Sequence, residues 1–142
     1  MTRFTSDHAA LALRVTLGVL FFAHSLFKLV TLGMPVTVQF FAALGFPAPL
    51  AYAVVAAEFV GGIALVLGTY VRPVAIVLAV VSFGAISAHA GNGWVFSNAG
   101  GGYEYPLFLG IVTLVQAMLG AGRFSIDARR MADRSARALA AA

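Results

Sequence analysis

Between Arg14 and Arg123 the chain carries only four charged residues: Lys28, Glu58, Arg72 and Glu104. A water-soluble domain draws about a quarter of its residues from Asp, Glu, Lys and Arg, and needs them to solvate its surface. Here 10% are charged and 61% are hydrophobic in a chain of 142. A disordered chain departs from the average in the opposite direction. The sequence therefore predicts a multi-spanning membrane protein of one domain.

Four apolar stretches, near 9–31, 50–70, 73–90 and 105–122, are long enough to span, since about 20 residues cross the hydrocarbon core as a helix. The first follows Arg3, but it is too long for a signal-peptide core and no A-x-A site follows it. The apolar piece 38–46, bounded by Pro35, Pro47 and Pro49, is too short to cross and predicts an interfacial or re-entrant segment. No internal repeat is evident. The fold expected is all-α: a transmembrane four-helix bundle, with 1–127 as the membrane domain and 128–142 as a basic tail.

Basic residues set the orientation. Arg3, Arg72 and the tail fall on one side of a four-span arrangement, while the loops near 32–49 and 91–104 contain no Lys or Arg. The positive-inside rule then puts both termini in the cytoplasm. Trp94, Phe96, Tyr103 and Tyr105 fall at the outer face as an aromatic belt. The tail basic residues Arg123, Arg129, Arg130, Arg134 and Arg137 flank a span, so they signal topology rather than nucleic-acid binding. With Ser125 as a candidate N-cap, the tail is either a short helix on anionic lipid or a frayed segment. Arg14, a turn or two from the cytoplasmic end, is expected to snorkel to water.

In a lipid-solvated chain the informative residues are the ionisable ones. His24 and Lys28 stand at i, i+4 on the first span, Glu58 lies within the second, His89 ends the third and Glu104 begins the fourth. All five fall in the outer half, on four helices, and are expected to meet around one polar pocket. Each also has a plainer reading. Lys28 can snorkel, Glu104 suits a first helical turn, and His89 can simply bond a carbonyl. Glu58 is the deepest and needs a cation; Lys28 is the candidate partner. Ala53, Ala57 and Gly61, with Gly62, predict a close-packed helix surface, with Gly84 and Gly110 in the same role on later spans. Gly100, Gly101 and Gly102 permit tight turns at the pocket mouth and a candidate anion nest. With no Cys in the chain, disulfides, thiolate metal sites and a thiol relay are excluded.

Taken in order, several motifs resemble the DoxX family of small four-span bacterial membrane proteins, over roughly residues 10–127. They are Arg14, Leu17-Gly18 and Phe22 leading to His24-Ser25-x-x-Lys28, then Gly45-Phe46-Pro47, Glu58-x-x-Gly61-Gly62 and Leu67-Gly68. Arg72, His89 and Gly101-Gly102-Tyr103-Glu104-Tyr105-Pro106-Leu107 follow, and Gly120-x-Gly122-Arg123-x-Ser125-x-Asp127 closes the series. Ser25 stands where the family often has Gly. The resemblance implies a multi-pass protein of the bacterial inner membrane, loosely linked to oxidoreduction. Some relatives are subunits of a thiosulfate:quinone oxidoreductase, and others associate with redox partners.

The preferred reading is a quinone-coupled redox component, a subunit rather than a complete enzyme. His24, Lys28 and Glu58 are its candidate catalytic residues, and His89, Glu104 and Tyr103 its candidate ligand-binding ones. The partners expected are the lipid bilayer, a quinone, a redox protein and further copies of the chain. Two other classes stay open: a metal site drawn from His24, His89, Glu58 and Glu104, and a module for small-ligand binding, transport or scaffolding without redox activity.

Overall fold

The computed structural model describes residues 5–140, and every regular element among them is helical. Helix α1 (Ser6–Leu26) runs on into a π-helical turn, Phe27–Leu32, and stops at Gly33. The short α2 (Met34–Ala43) follows, then α3 (Ala48–Leu67), α4 (Val71–His89), α5 (Glu104–Leu119) and α6 (Ile126–Ala140). Three stretches are long and apolar enough to cross a membrane: Ser6–Leu32, Ala48–Leu67 and Val71–Asn92. The apolar α5 is shorter, at 16 residues. The piece bounded by prolines is the ten-residue α2, which packs on α3 and on the π turn.

Prolines and glycines punctuate these helices as their chemistry demands. Pro47 and Pro49 open α3, where no N–H is needed. Gly68, at φ 72°, ends α3 in the left-handed conformation, and the N–H groups of Gly68 and Thr69 return to the Ala64 carbonyl at 2.9 and 3.0 Å. A side chain at Gly68 would also collide with Ser125 and with the Arg14 guanidinium.

The core is small and shared by four helices. Leu17 and Phe21 of α1, Leu65 of α3, Val71, Ala75 and Leu78 of α4 and Leu109 of α5 form one buried cluster. Large apolar side chains remain exposed on the outside of the same helices, among them Val19, Val60, Val80, Phe108 and Met118. Water would penalise that surface heavily; hydrocarbon does not. Polar side chains turned inward bond their own backbone, as Ser82 does to Leu78 O and Thr113 to Leu109 O.

The most extensive helix pairings are α1 with α3 and α4 with α5. Gly18 and Gly62 make the first one close, because a Cβ at either would come within 2.8 Å of the other's carbonyl oxygen. The small-residue surface thus differs from the one expected. Gly62 faces α1, Gly61 faces Leu78 of α4, and Ala53 is exposed. Gly110 does admit Phe83 between α5 and α4, whereas Gly84 has open space around it.

Arg14 does not snorkel. It is 2% exposed, and its Nη1 donates to the carbonyls of Leu65 (2.9 Å) and Val66 (2.5 Å), its Nη2 to that of Phe124 (2.5 Å). The guanidinium caps the C-terminus of α3, where the helix dipole is negative, and ties it to the segment leading into α6. Its planar fork reaches three acceptors at once. Asp127 completes this end by accepting the N–H groups of Tyr70 (3.0 Å) and Val71 (3.2 Å), which caps α4 from another helix. Ser125 Oγ accepts from Ala128 N–H at 3.1 Å, so the expected N-cap of α6 is formed.

Candidate functional site

The close α1–α3 crossing brings Lys28 to Glu58. Lys28 Nζ lies 2.6 Å from Oε1 and 2.7 Å from Oε2, engaging both carboxylate oxygens. Glu58 stands at the middle of α3 and is 5% exposed; Lys28 is partly exposed. Lys28 sits in the π turn, which widens the helix and turns its side chain toward α3. Thr37 of α2 steadies that turn by donating from its hydroxyl toward the carbonyls of Gly33 (3.1 Å) and Lys28 (3.3 Å). A buried carboxylate of this kind persists only with its charge matched and its oxygens bonded, and both conditions hold.

His24 takes a different neighbour, although i, i+4 spacing predicts one face for it and Lys28. Its Nδ1 lies 3.0 Å from Leu20 O, and its ring stacks on Tyr105 of α5 at 6.0 Å and 14°. Because a carbonyl oxygen only accepts, Nδ1 is the donor in this contact and carries a proton. The π turn starts between the two residues and parts their directions. Ser25, fully buried, donates to Phe22 O at 2.7 Å.

His89, the last residue of α4, and Glu104, the first of α5, border the loop that joins the two helices. His89 Nδ1 lies 3.1 and 3.2 Å from the carbonyls of Gly100 and Gly101, which Asn92 Nδ2 also reaches at 3.0 and 2.9 Å. The glycine run therefore offers its carbonyls to an imidazole and an amide donor. Of the N–H groups in and beside the run, Gly101 donates to Asn98 O, Tyr103 to Gly93 O and Glu104 to Trp94 O. Gly102 lets the chain pass against the backbone of Trp94 and Val95. Glu104 Oε1 accepts the N–H of Phe96 at 2.8 Å, and Tyr103 packs edge-on against Trp94 at 5.3 Å.

The structure thus joins Lys28 to Glu58 directly and gives His24, His89, Glu104 and Tyr103 their own partners. Among the described residues, no three His, Asp or Glu side chains gather so as to hold a metal ion. The four residues suggested as ligands do not form such a group.

A feature the sequence reading missed is an open groove of about 550 Å³ lined by Trp94, Phe96, Glu104, Tyr105, Leu107, Phe108 and Ile111. The first turns of α5 and the aromatic loop build it. Its walls are apolar with a carboxylate among them, and the His24 imidazole lies behind the Tyr105 ring. Leu107, Phe108 and Ile111 look like ordinary span residues; the available signal was Glu104 and Phe108 at i, i+4, next to three aromatic loop residues.

Comparison with known proteins agrees with this architecture. The DoxX family model matches residues 9–91. The chain is 32% identical over 117 residues, 82% of its length and 83% of the other's, to a Bacillus subtilis (strain 168) protein named "Putative oxidoreductase CatD". No solved structure matches the chain.

Proposed function

This chain belongs to the DoxX family of multi-pass membrane proteins, and from that premise we propose that it is the quinone-handling subunit of a membrane oxidoreductase. The observation that carries this reading is the groove, in which Glu104 and Tyr105 line an aromatic slot backed by His24. Its volume lies within the range of about 300–1,000 Å³ usual for small-molecule sites. A quinone presents a flat apolar ring that suits aromatic walls, and two oxygens that need protons when the ring is reduced. Reduction to the quinol consumes two electrons and two protons. The chain has no Cys, so the electrons come from a bound substrate or a partner redox protein rather than a thiol relay. Glu104 and His24, with Glu58 deeper in, are the groups that carry protons. The oxidoreductase name of the Bacillus subtilis relative supports this class of chemistry.

In this reading α1, α3, α4 and α5 all cross the inner membrane of a bacterium. The first 127 residues form the membrane domain, and the basic tail from 128 on lies in the cytoplasm with the N-terminus. The groove and the Lys28–Glu58 pair then face the outer half of the bilayer. A second reading rests on the two-oxygen contact between Lys28 and Glu58: the pair serves as a structural bridge between α1 and α3, without part in chemistry.

Trp94, the single tryptophan, lines the groove and reports on it directly. Titrating the purified protein in nanodiscs with a short-chain quinone is expected to quench Trp94 fluorescence saturably. Tyr105→Ala and Phe108→Ala are expected to weaken binding by about tenfold, the effect of losing an aromatic contact of 1–1.5 kcal/mol. Quenching that never saturates, or that is identical in both variants, would overturn the reading.

A further inference from the structure

Helix α6 places its charged residues on one side. With 3.6 residues per turn, Arg130, Asp133, Arg134 and Arg137 share one face, and Ala128, Met131, Ala132, Ser135 and Leu139 share the opposite one. Arg129 and Arg134 flank the apolar face on its two sides. Met131 is 68% and Leu139 80% exposed, so the bundle does not cover that face. Ser135 is no obstacle to apolar surroundings, since its hydroxyl donates to Met131 O at 3.1 Å.

The start of α6 is held in place. Asp127 accepts from the N–H groups of Tyr70 and Val71 and donates its own N–H to Gly68 O at 3.0 Å. Arg130 Nη1 donates to Thr69 Oγ1 at 3.0 Å, with its guanidinium 5.6 Å from the Tyr70 ring. Among the described residues, the hydrogen bonds joining α6 to the bundle come from Asp127 and Arg130. The helix therefore begins at the α3–α4 turn, where membrane helices end and the polar interface starts, and carries its uncovered face away from there.

We propose that α6 lies in the plane of the membrane surface as a binding site for anionic phospholipid headgroups. Met131 and Leu139 enter the acyl boundary, and Arg129 and Arg134, which flank them, meet phosphates. The apolar face is too poor in large side chains to hold the surface by itself, because beside Met131 and Leu139 it carries only Ala128, Ala132 and Ser135. Charge complementarity supplies the rest, which makes the docking selective for negative lipid and sensitive to salt. This site is independent of the groove and of any redox chemistry there.

With no native cysteine, one introduced thiol is a unique labelling site. The full-length protein is spin-labelled at Met131→Cys, and separately at Leu139→Cys and Arg137→Cys, and reconstituted in phosphatidylcholine with or without phosphatidylglycerol. Labels at 131 and 139 are expected to lose access to a water-soluble nickel chelate by about threefold in the anionic bilayer. High salt, or Arg129→Gln with Arg134→Gln, should restore access, while the label at 137 stays wet throughout. Equal access in both bilayers would overturn the proposal. So would burial that ignores lipid charge, or protection that appears only when a soluble protein fraction is added.

Discussion

Two cations stand at opposite ends of the bundle, Arg14 buried and Lys28 partly buried, and they are bonded in different ways. Arg14 binds only carbonyl oxygens, which cannot change protonation. Lys28 binds the carboxylate of Glu58, which can, and it keeps partial exposure. The first arrangement is a permanent clamp on the C-terminus of α3. The second couples two titratable groups inside apolar helices, next to a π turn of the kind that recurs at functional sites. One end is tied to backbone and the other to an ionisable side chain.

The largest effect is expected from breaking the clamp. Arg14→Met leaves three acceptors without their charged donor and should cost roughly 3–5 kcal/mol, read as a loss of folded protein in thermal unfolding in detergent. Arg14→Lys should recover only part, since an ammonium cannot span the same three carbonyls. At the other end, Glu58→Leu alone strands the Lys28 cation and should cost about 3 kcal/mol. Lys28→Met combined with Glu58→Leu should return to within about 1 kcal/mol of the parent. If the pair takes part in chemistry, that double variant reaches normal abundance in membranes but loses quinone-linked electron transfer. Retained transfer would leave the pair a bridge and make the two ends alike. The smallest effect belongs to Asp127→Ala, which removes the cap on α4 for about 1 kcal/mol and frees α6. Increased protease cleavage of the tail, with the bundle intact, would check it.

Much of this was legible in the sequence, for reasons that differ by residue. Glu58 and Lys28 stood out because a charge in an apolar helix demands an opposite partner, and few were available. Ser125 was readable as a cap because its preference is local. Arg14 was misread because its partners are backbone carbonyls, which every residue owns and no sequence pattern marks. The parting of His24 from Lys28 was equally hidden, since regular spacing assumes an unbroken α-helix and the π turn breaks it. The groove escaped because its walls are common apolar residues whose grouping depends on how α5 meets the loop.

The sequence by itself determined that the protein is helical and lipid-solvated, because hydropathy over some twenty residues decides that without reference to the rest of the chain. It also determined which side chains could not be left alone in such a medium. Lys28 could be named for Glu58 from sequence, but only the tertiary structure decided the other pairings: Tyr105 for His24, three carbonyls for Arg14. Those pairings depend on where Gly18 and Gly62 let two backbones touch, and on a π turn and a loop that bring distant residues within ångströms. Contacts of that range depend on packing between segments, which no local pattern encodes.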